Sequence, residues 1–222
     1  MAAGAEGRKV VIAIDGPAAA GKGTLARRLA QHFGYAYLDT GLLYRAVGVK
    51  VLEAGADPSD AAAATDAAKR LAWKETRRED LRSDAAANAA SRVAAVPEVR
   101  RALLVLQRRF AENPPDGAAG AVLDGRDIGT VVFPDADLKL FVTASLEVRA
   151  ARRLKELRER GLEAIDSRVL REMQERDARD SERAVAPLGP AHDAIVVDTS
   201  GLEPDAVFTA ALAALEAAKR RG

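Results

Sequence analysis

Nine residues near the amino terminus restrict the possible folds more than any other part of the chain: Gly16, Pro17, Ala18, Ala19, Ala20, Gly21, Lys22, Gly23 and Thr24. The run before them, Val10-Val11-Ile12-Ala13-Ile14, is short, apolar and rich in β-branched residues, as a parallel strand covered on both faces should be. The run after them, Leu25 to Ala30, has helical spacing and a helix-favouring composition. Strand, glycine loop and helix start therefore follow in the order that builds an anion site. Glycines let the chain curl until successive N–H groups point inward, and the helix dipole adds partial positive charge. Lys22 stands where its ammonium can reach the terminal phosphates of a nucleoside triphosphate. Such loops usually carry Ser or Thr directly after the lysine, as a magnesium ligand. Here Gly23 fills that position and Thr24 follows it. A metal is thus expected to rest on phosphates and water, with a carboxylate behind the water.

With 222 residues the chain is long enough for one substantial core and a small appended lobe. It has no cysteine, which excludes disulfides and thiolate metal sites and suits a reducing cytoplasm. No run of roughly 18 apolar residues is present, so no membrane-spanning helix is expected. Met1 to Arg8 lack the apolar stretch of a signal peptide and read as a disordered tail. The formal net charge of +1 argues against a surface built for nucleic acid. Even the arginine-rich stretch from Ser145 to Arg183 holds eleven Lys/Arg against ten Asp/Glu. Functional arginines must therefore be found by position. No apolar surface stripe announces a partner, and a monomer is expected.

Further strands are expected at Tyr35–Leu38, Ala121–Leu123, Leu138–Val142 and Ala194–Val197. Helices are expected from about Leu42 to Ala54, almost throughout 59–112, over Ser145 to Arg183 with a break near Gly161, and after Pro204. Alternating strands and helices give an α/β fold with a five-stranded parallel sheet between helical layers. Ligands in such sheets gather beyond the carboxyl ends of the strands. There lie Asp15 and the glycine loop, Asp39-Thr40, and the run Asp124-Gly125-Arg126-Asp127.

Three segments complete the pattern. They are Tyr37-Leu38-Asp39-Thr40-Gly41-Leu42-Leu43-Tyr44-Arg45, the run from Asp124 through Asp127-Ile128-Gly129-Thr130 to Pro134-Asp135, and the run from Arg176 to Leu188. With the glycine loop they closely resemble the bacterial cytidylate kinases, which phosphorylate CMP and dCMP with ATP. The resemblance runs from about Val10 to the closing helix. It implies a P-loop kinase whose core comprises about 9–55, 120–145 and 190–222. About 56–113 would form an acceptor-binding lobe, and about 146–183 a mobile lid with the helix that follows it. It also implies ATP on Gly16–Thr24, magnesium as cofactor, and nucleotides as the only partners.

Individual positions carry this further. Asp124 ends an apolar strand, where P-loop enzymes keep an acid near magnesium, reached here through water. Arg126 follows, aimed at the same crevice. Arg45 lies one turn into a helix that starts at the crevice, although a solvated helix face would suit it too. Arg176, Arg179 and Arg183 share helical spacing with Asp180. From the residues alone they read equally as a surface ion-pair ladder. The resemblance implies that Arg183 meets the acceptor phosphate, that Arg179 meets the transferring group, and that Arg176 and Asp180 contact the acceptor ribose. It matches Thr40, Arg45 and Arg126 to acceptor-binding positions. It makes lid arginines of Arg149, Arg152 and Arg153, with Arg153 the favoured catalytic member beside Lys22, Arg126, Arg179 and Asp124. Ser91, Arg100 and Asp127 match its cytosine-binding positions. A carboxylate accepting from N4 and an arginine donating to O2 or N3 complement that base edge. The polar interval Lys74–Arg82 lacks the small strand-bearing insert that many members carry.

Other readings remain at this level. A kinase for UMP, dephospho-coenzyme A or a hydroxyl acid would share the loop. A GTP switch would need Asn-Lys-x-Asp, and neither Asn88 nor Asn113 is followed by lysine.

Overall fold

The computed structural model describes residues 8–161 and 164–219. Five strands form: β1 (Val10–Asp15), β2 (Ala36–Asp39), β3 (Gly120–Asp124), β4 (Leu138–Thr143) and β5 (Ile195–Asp198). They make one sheet in the order β2-β3-β1-β4-β5, every pairing parallel. The five expected strands are these five, each shifted or extended by a residue or so. The apolar run of β1 is central and almost wholly buried, because parallel neighbours flank it and helices cover both faces.

Helix α1 (Lys22–Phe33) springs from the glycine loop and packs its Leu25, Ala26 and Leu29 on one sheet face with α8 (Pro204–Lys219). On the other face lie α2 (Thr40–Glu53), α3 (Ala61–Lys69) and α5 (Pro97–Glu112), joined through Val47, Val51, Val99 and Leu103. Two short 3-10 turns, Trp73–Arg77 and Glu79–Arg82, occupy the polar interval without any strand, and α4 (Asp84–Val93) follows. Helix α4 presses on α2 at Gly48, where a Cβ would stand 2.7 Å from that of Ala89. This close approach carries α4 across the carboxyl edge of the sheet. Trp73 stays half exposed, its ring 5.9 Å from that of Phe110 at the margin of this helical segment.

Helices α6 (Leu146–Glu159) and α7 (Asp166–Glu182) meet through Ala150, Leu157, Val169 and Met173, with Gly161 in the left-handed region at the break. One feature carried no signal in the sequence pattern. Residues Ile128–Val132 form a single π-turn, closed by Val132 N–H to the Asp127 carbonyl and Phe133 N–H to the Ile128 carbonyl. The tail expected at Met1–Arg8 lies outside the described residues except for Arg8, which pairs with Asp137. No helix among the described residues is long and apolar enough to cross a membrane.

Candidate active site

The carboxyl ends of β1, β2 and β3 open into a cleft of about 540 Å3, roofed by α4 on one side and by α6 and α7 on the other. The glycine loop forms one end. Gly16 has φ 142°, and a Cβ there would overlap the Val142 carbonyl oxygen at 1.9 Å, so no other residue fits. Ala19 (φ 57°) and Gly21 (φ 93°) also lie at positive φ. Ala19 holds this conformation without glycine's freedom, a local strain that the rest of the loop supports. Lys22 is only 6% exposed and its Nζ donates to the Pro17 carbonyl at 2.9 Å. Burial, then the neighbouring Arg126, draws its pKa down to about 7. Thr24 faces outward.

Beside the loop, Asp124 pairs in register with Asp39 of β2, and both carboxylates border the cleft. Burial, then Asp39, raises the Asp124 pKa to about 6. Tyr37 donates its hydroxyl to Asp124 Oδ2 at 2.9 Å, and Thr40 donates to the Asp124 carbonyl at 2.8 Å. A Cβ on Gly23 would stand 3.2 Å from Asp124 Oδ2, so bare backbone meets the carboxylate where a hydroxyl residue is usual. Oxygen donors of this kind suit magnesium. Among the described residues, however, no three acidic or metal-binding side chains gather tightly enough to hold an ion alone.

Most of the arginines singled out in the sequence line the cleft, and Arg179 does not. Arg126 Nε donates to Asp180 Oδ2 at 2.9 Å, and Ser91 Oγ reaches Asp180 Oδ1 at 3.4 Å. Arg176 lines the same stretch. Burial, then Arg126, lowers its pKa to about 9, and its Nε has no hydrogen-bond partner. Arg45 donates to the Leu81 carbonyl at 2.7 Å while lining the cleft, so it is no solvated surface residue. Arg179 is different. It lies outside the cleft, in an adjacent depression with Asn88, Arg92 and Arg171, and its Nε donates to Ser91 Oγ at 3.2 Å. It stands about 100° around the helix from Asp180, which turns it out of the face that Arg176 and Asp180 share.

Arg183 also lines the cleft. It follows the end of α7 and groups with the opposite end of the cleft, its Nη2 3.7 Å from Asp127 Oδ1. There Arg100 and Asp127 form a buried ion pair, and Arg100 Nη1 donates to the Ala94 carbonyl at 3.3 Å. Arg183 Nη2 has no hydrogen-bond partner either. The Arg100 guanidinium lies 5.7 Å from the Tyr44 ring. Ser91, expected to read the base, lines the cleft and bonds Asp180 and Arg179.

The three arginines at the start of α6 divide. Arg149 is buried, bonded to the Ala144 carbonyl and paired with Asp177 at 2.6 Å. Arg152 donates to Thr199 Oγ1 and its carbonyl. Arg153 alone of the three lines the cleft, paired with Asp84 of α4 and with Glu156.

The glycine loop at one end, an Arg–Asp pair at the other and arginines between them give the cleft a mainly cationic lining. The cytidylate kinase family profile matches residues 12–217 of this chain. The chain belongs to the cytidylate kinase family. It is similar to the cytidylate kinase of Paramagnetospirillum magneticum, 65% identical over 91% of this chain and 95% of that one. The cytidylate kinase of Rhodospirillum rubrum is 62% identical over the same shares. Among solved structures, an uncharacterized protein from Eubacterium ventriosum covers 94% of this chain and 99% of its own at TM-score 0.55. At 13% identity it shares the fold alone.

Several residues of the site had no role assigned from sequence. Tyr37 and Tyr44 both lie in the Tyr37–Arg45 run, where a tyrosine two residues before a strand-end acid was the available signal. Asp84 and Asp177 offered none, because their partners Arg153 and Arg149 are distant in sequence.

Proposed function

We propose that the protein transfers the terminal phosphoryl group of ATP to the phosphate of CMP, and of dCMP, yielding CDP or dCDP. The observation that carries the acceptor assignment is the buried Arg100–Asp127 pair at the cleft end remote from Lys22. One carboxylate and two guanidiniums there suit the N4 donor and the O2 and N3 acceptors of cytosine. Uracil reverses the polarity at two of those atoms. The identities above 60% to proteins named cytidylate kinase support the same acceptor.

The acceptor phosphate needs no general base, because its second pKa is about 6 and an anionic oxygen is available at neutral pH. The chain's task is to align two charged groups and offset their repulsion. Backbone N–H groups of Gly16–Thr24 would hold the ATP phosphates, and Lys22 would regain its proton against them. Arg126, Arg45 and Arg176 would face the acceptor phosphate and sugar with Asp180. Arg153 would leave Asp84 for the transferring group, and Arg179 could join it only by a rotation of its side chain. Thr40 anchors the strand end at Asp124.

Magnesium, held by nucleotide phosphates and by water on Asp124, would supply positive charge to the transferring group. Tyr37, donating to Oδ2, would keep the Asp124 carboxylate oriented. The polar, thiol-free chain fits a cytoplasmic setting.

The test is ADP release from ATP and magnesium with CMP, dCMP, UMP, AMP and GMP in parallel. Turnover with CMP and dCMP well above the other three is expected. Equal or better use of UMP would overturn the acceptor assignment.

A further inference from the structure

Asp127 sits where a helix-capping residue sits, yet its side chain caps nothing. It precedes the π-turn at φ −149° and ψ 26°, and its carbonyl accepts from Val131 and Val132 N–H. An aspartate in such a position normally turns its carboxylate back onto the free N–H groups of the first turn. Here the first two of them, on Ile128 and Gly129, are taken by a residue far away in sequence. Asp15, at the end of β1, accepts from Ile128 N–H at 2.8 Å through Oδ1 and from Gly129 N–H at 2.7 Å through Oδ2. Asp15, Ile128 and Gly129 are all buried, so water cannot replace the carboxylate. The Gly125 N–H to Ile14 carbonyl bond, at 2.9 Å, ties the preceding loop to the same strand end.

We propose that Asp15 is a positioning residue for acceptor recognition: by capping the π-turn in place of Asp127, it leaves the Asp127 carboxylate free to face Arg100, Arg183 and the acceptor base. The inference rests on the cytosine-reading role proposed for Asp127. Without the Asp15 carboxylate, two buried N–H groups lack an acceptor, and Asp127, in the capping position, is the carboxylate placed to turn back onto that of Gly129. Its return to the turn would withdraw it from the cleft. Asp15→Asn keeps the shape but sets an amide NH2 against one of the two N–H donors, so a single cap remains at best.

The experiment is a double-mutant cycle of Asp15→Asn and Asp127→Asn, with KM for CMP and for ATP measured in all four proteins. Asp15→Ser, whose hydroxyl cannot span both amides, serves as a second variant, and thermal unfolding checks each fold. Asp15→Asn is expected to raise the CMP KM about tenfold, the scale of one lost buried hydrogen bond. The same change in the Asp127→Asn background should alter it by less than about twofold, with the ATP KM within about twofold throughout. Additive effects, or an ATP KM that rises with the CMP KM, would overturn the inference. So would failure of both Asp15 variants to fold, because Asp15 would then be a determinant of the fold itself. A wild-type protein without CMP turnover overturns the functional reading instead, which keeps the two failures apart.

Discussion

Replacing Asp127 by asparagine separates a base-reading carboxylate from one that merely neutralises arginines. Asp127 lies between two guanidiniums: Arg100 is paired with Oδ2, and Arg183 Nη2 is 3.7 Å from Oδ1. The Arg100 and Arg183 side chains are 8% and 6% exposed, so water screens neither. Asparagine fits the same space and keeps one acceptor oxygen, but it leaves two neighbouring cations without their anion. Breaking a buried pair costs about 3–5 kcal/mol, and the lower figure applies because Arg100 keeps the Ala94 carbonyl. At about 2–4 °C per kcal/mol for a chain of this size, the free protein should melt about 6–12 °C lower. The acceptors should respond unequally. Cytosine N4 loses a charged acceptor worth about 1.5–3 kcal/mol, which lowers kcat/KM for CMP by roughly ten- to a hundredfold. Uracil O4 gains an amide donor, so UMP should be used no worse than before. Coupled ADP release at saturating ATP, well below the melting transition, gives both constants. Equal losses for CMP and UMP, together with the expected fall in melting temperature, would refute base reading and leave a purely structural ion pair.

Four other outcomes follow from the site. Lys22→Met should fold normally but turn over at least roughly a hundredfold more slowly, the scale of one electrostatic catalytic donor, and near-normal turnover would remove the assignment of the loop. Because burial holds Lys22 near pKa 7 and bound phosphates restore its proton, ATP binding should take up a proton above pH 7. Affinity for a non-hydrolysable ATP analogue should then weaken by up to about tenfold per pH unit from 7 upward, and constant affinity between pH 7 and 9 would contradict it. The same depressed pKa makes the free protein more stable as pH rises from about 7 towards the usual lysine value, since the unfolded chain binds the extra proton. Amide exchange across 150–161 and 164–183 should slow when the ATP analogue and CMP bind together, as Arg153 exchanges Asp84 for phosphate. Equal protection in the free protein would refute lid closure.

Much of the architecture was legible because its signals are local. A β-branched strand, a glycine loop and a helix start in direct succession can be built in few ways, and the remaining strands are short apolar runs bounded by Gly, Pro or Asp. Arg100 and Asp127 were recognisable only because their motifs carry family-specific patterns. Their meeting is a tertiary fact, made when α5 and the loop after β3 converge on one end of the cleft. Helical spacing grouped Arg176, Arg179 and Arg183, but it could not say which flank of α7 faces the cleft or that the helix ends before Arg183.

The sequence by itself determined the parallel sheet, the phosphate loop and the strand ends where chemistry collects, since these follow from residue pattern over a few positions. Only the tertiary structure decided the pairings. It turned Arg179 aside and moved Arg183 to the Asp127 end. It also brought Tyr37 to Asp124 and set Asp15 beneath the π-turn. Each of these depends on which acceptor a buried donor finds when separate elements close on one another, and spacing along the chain holds no record of that choice.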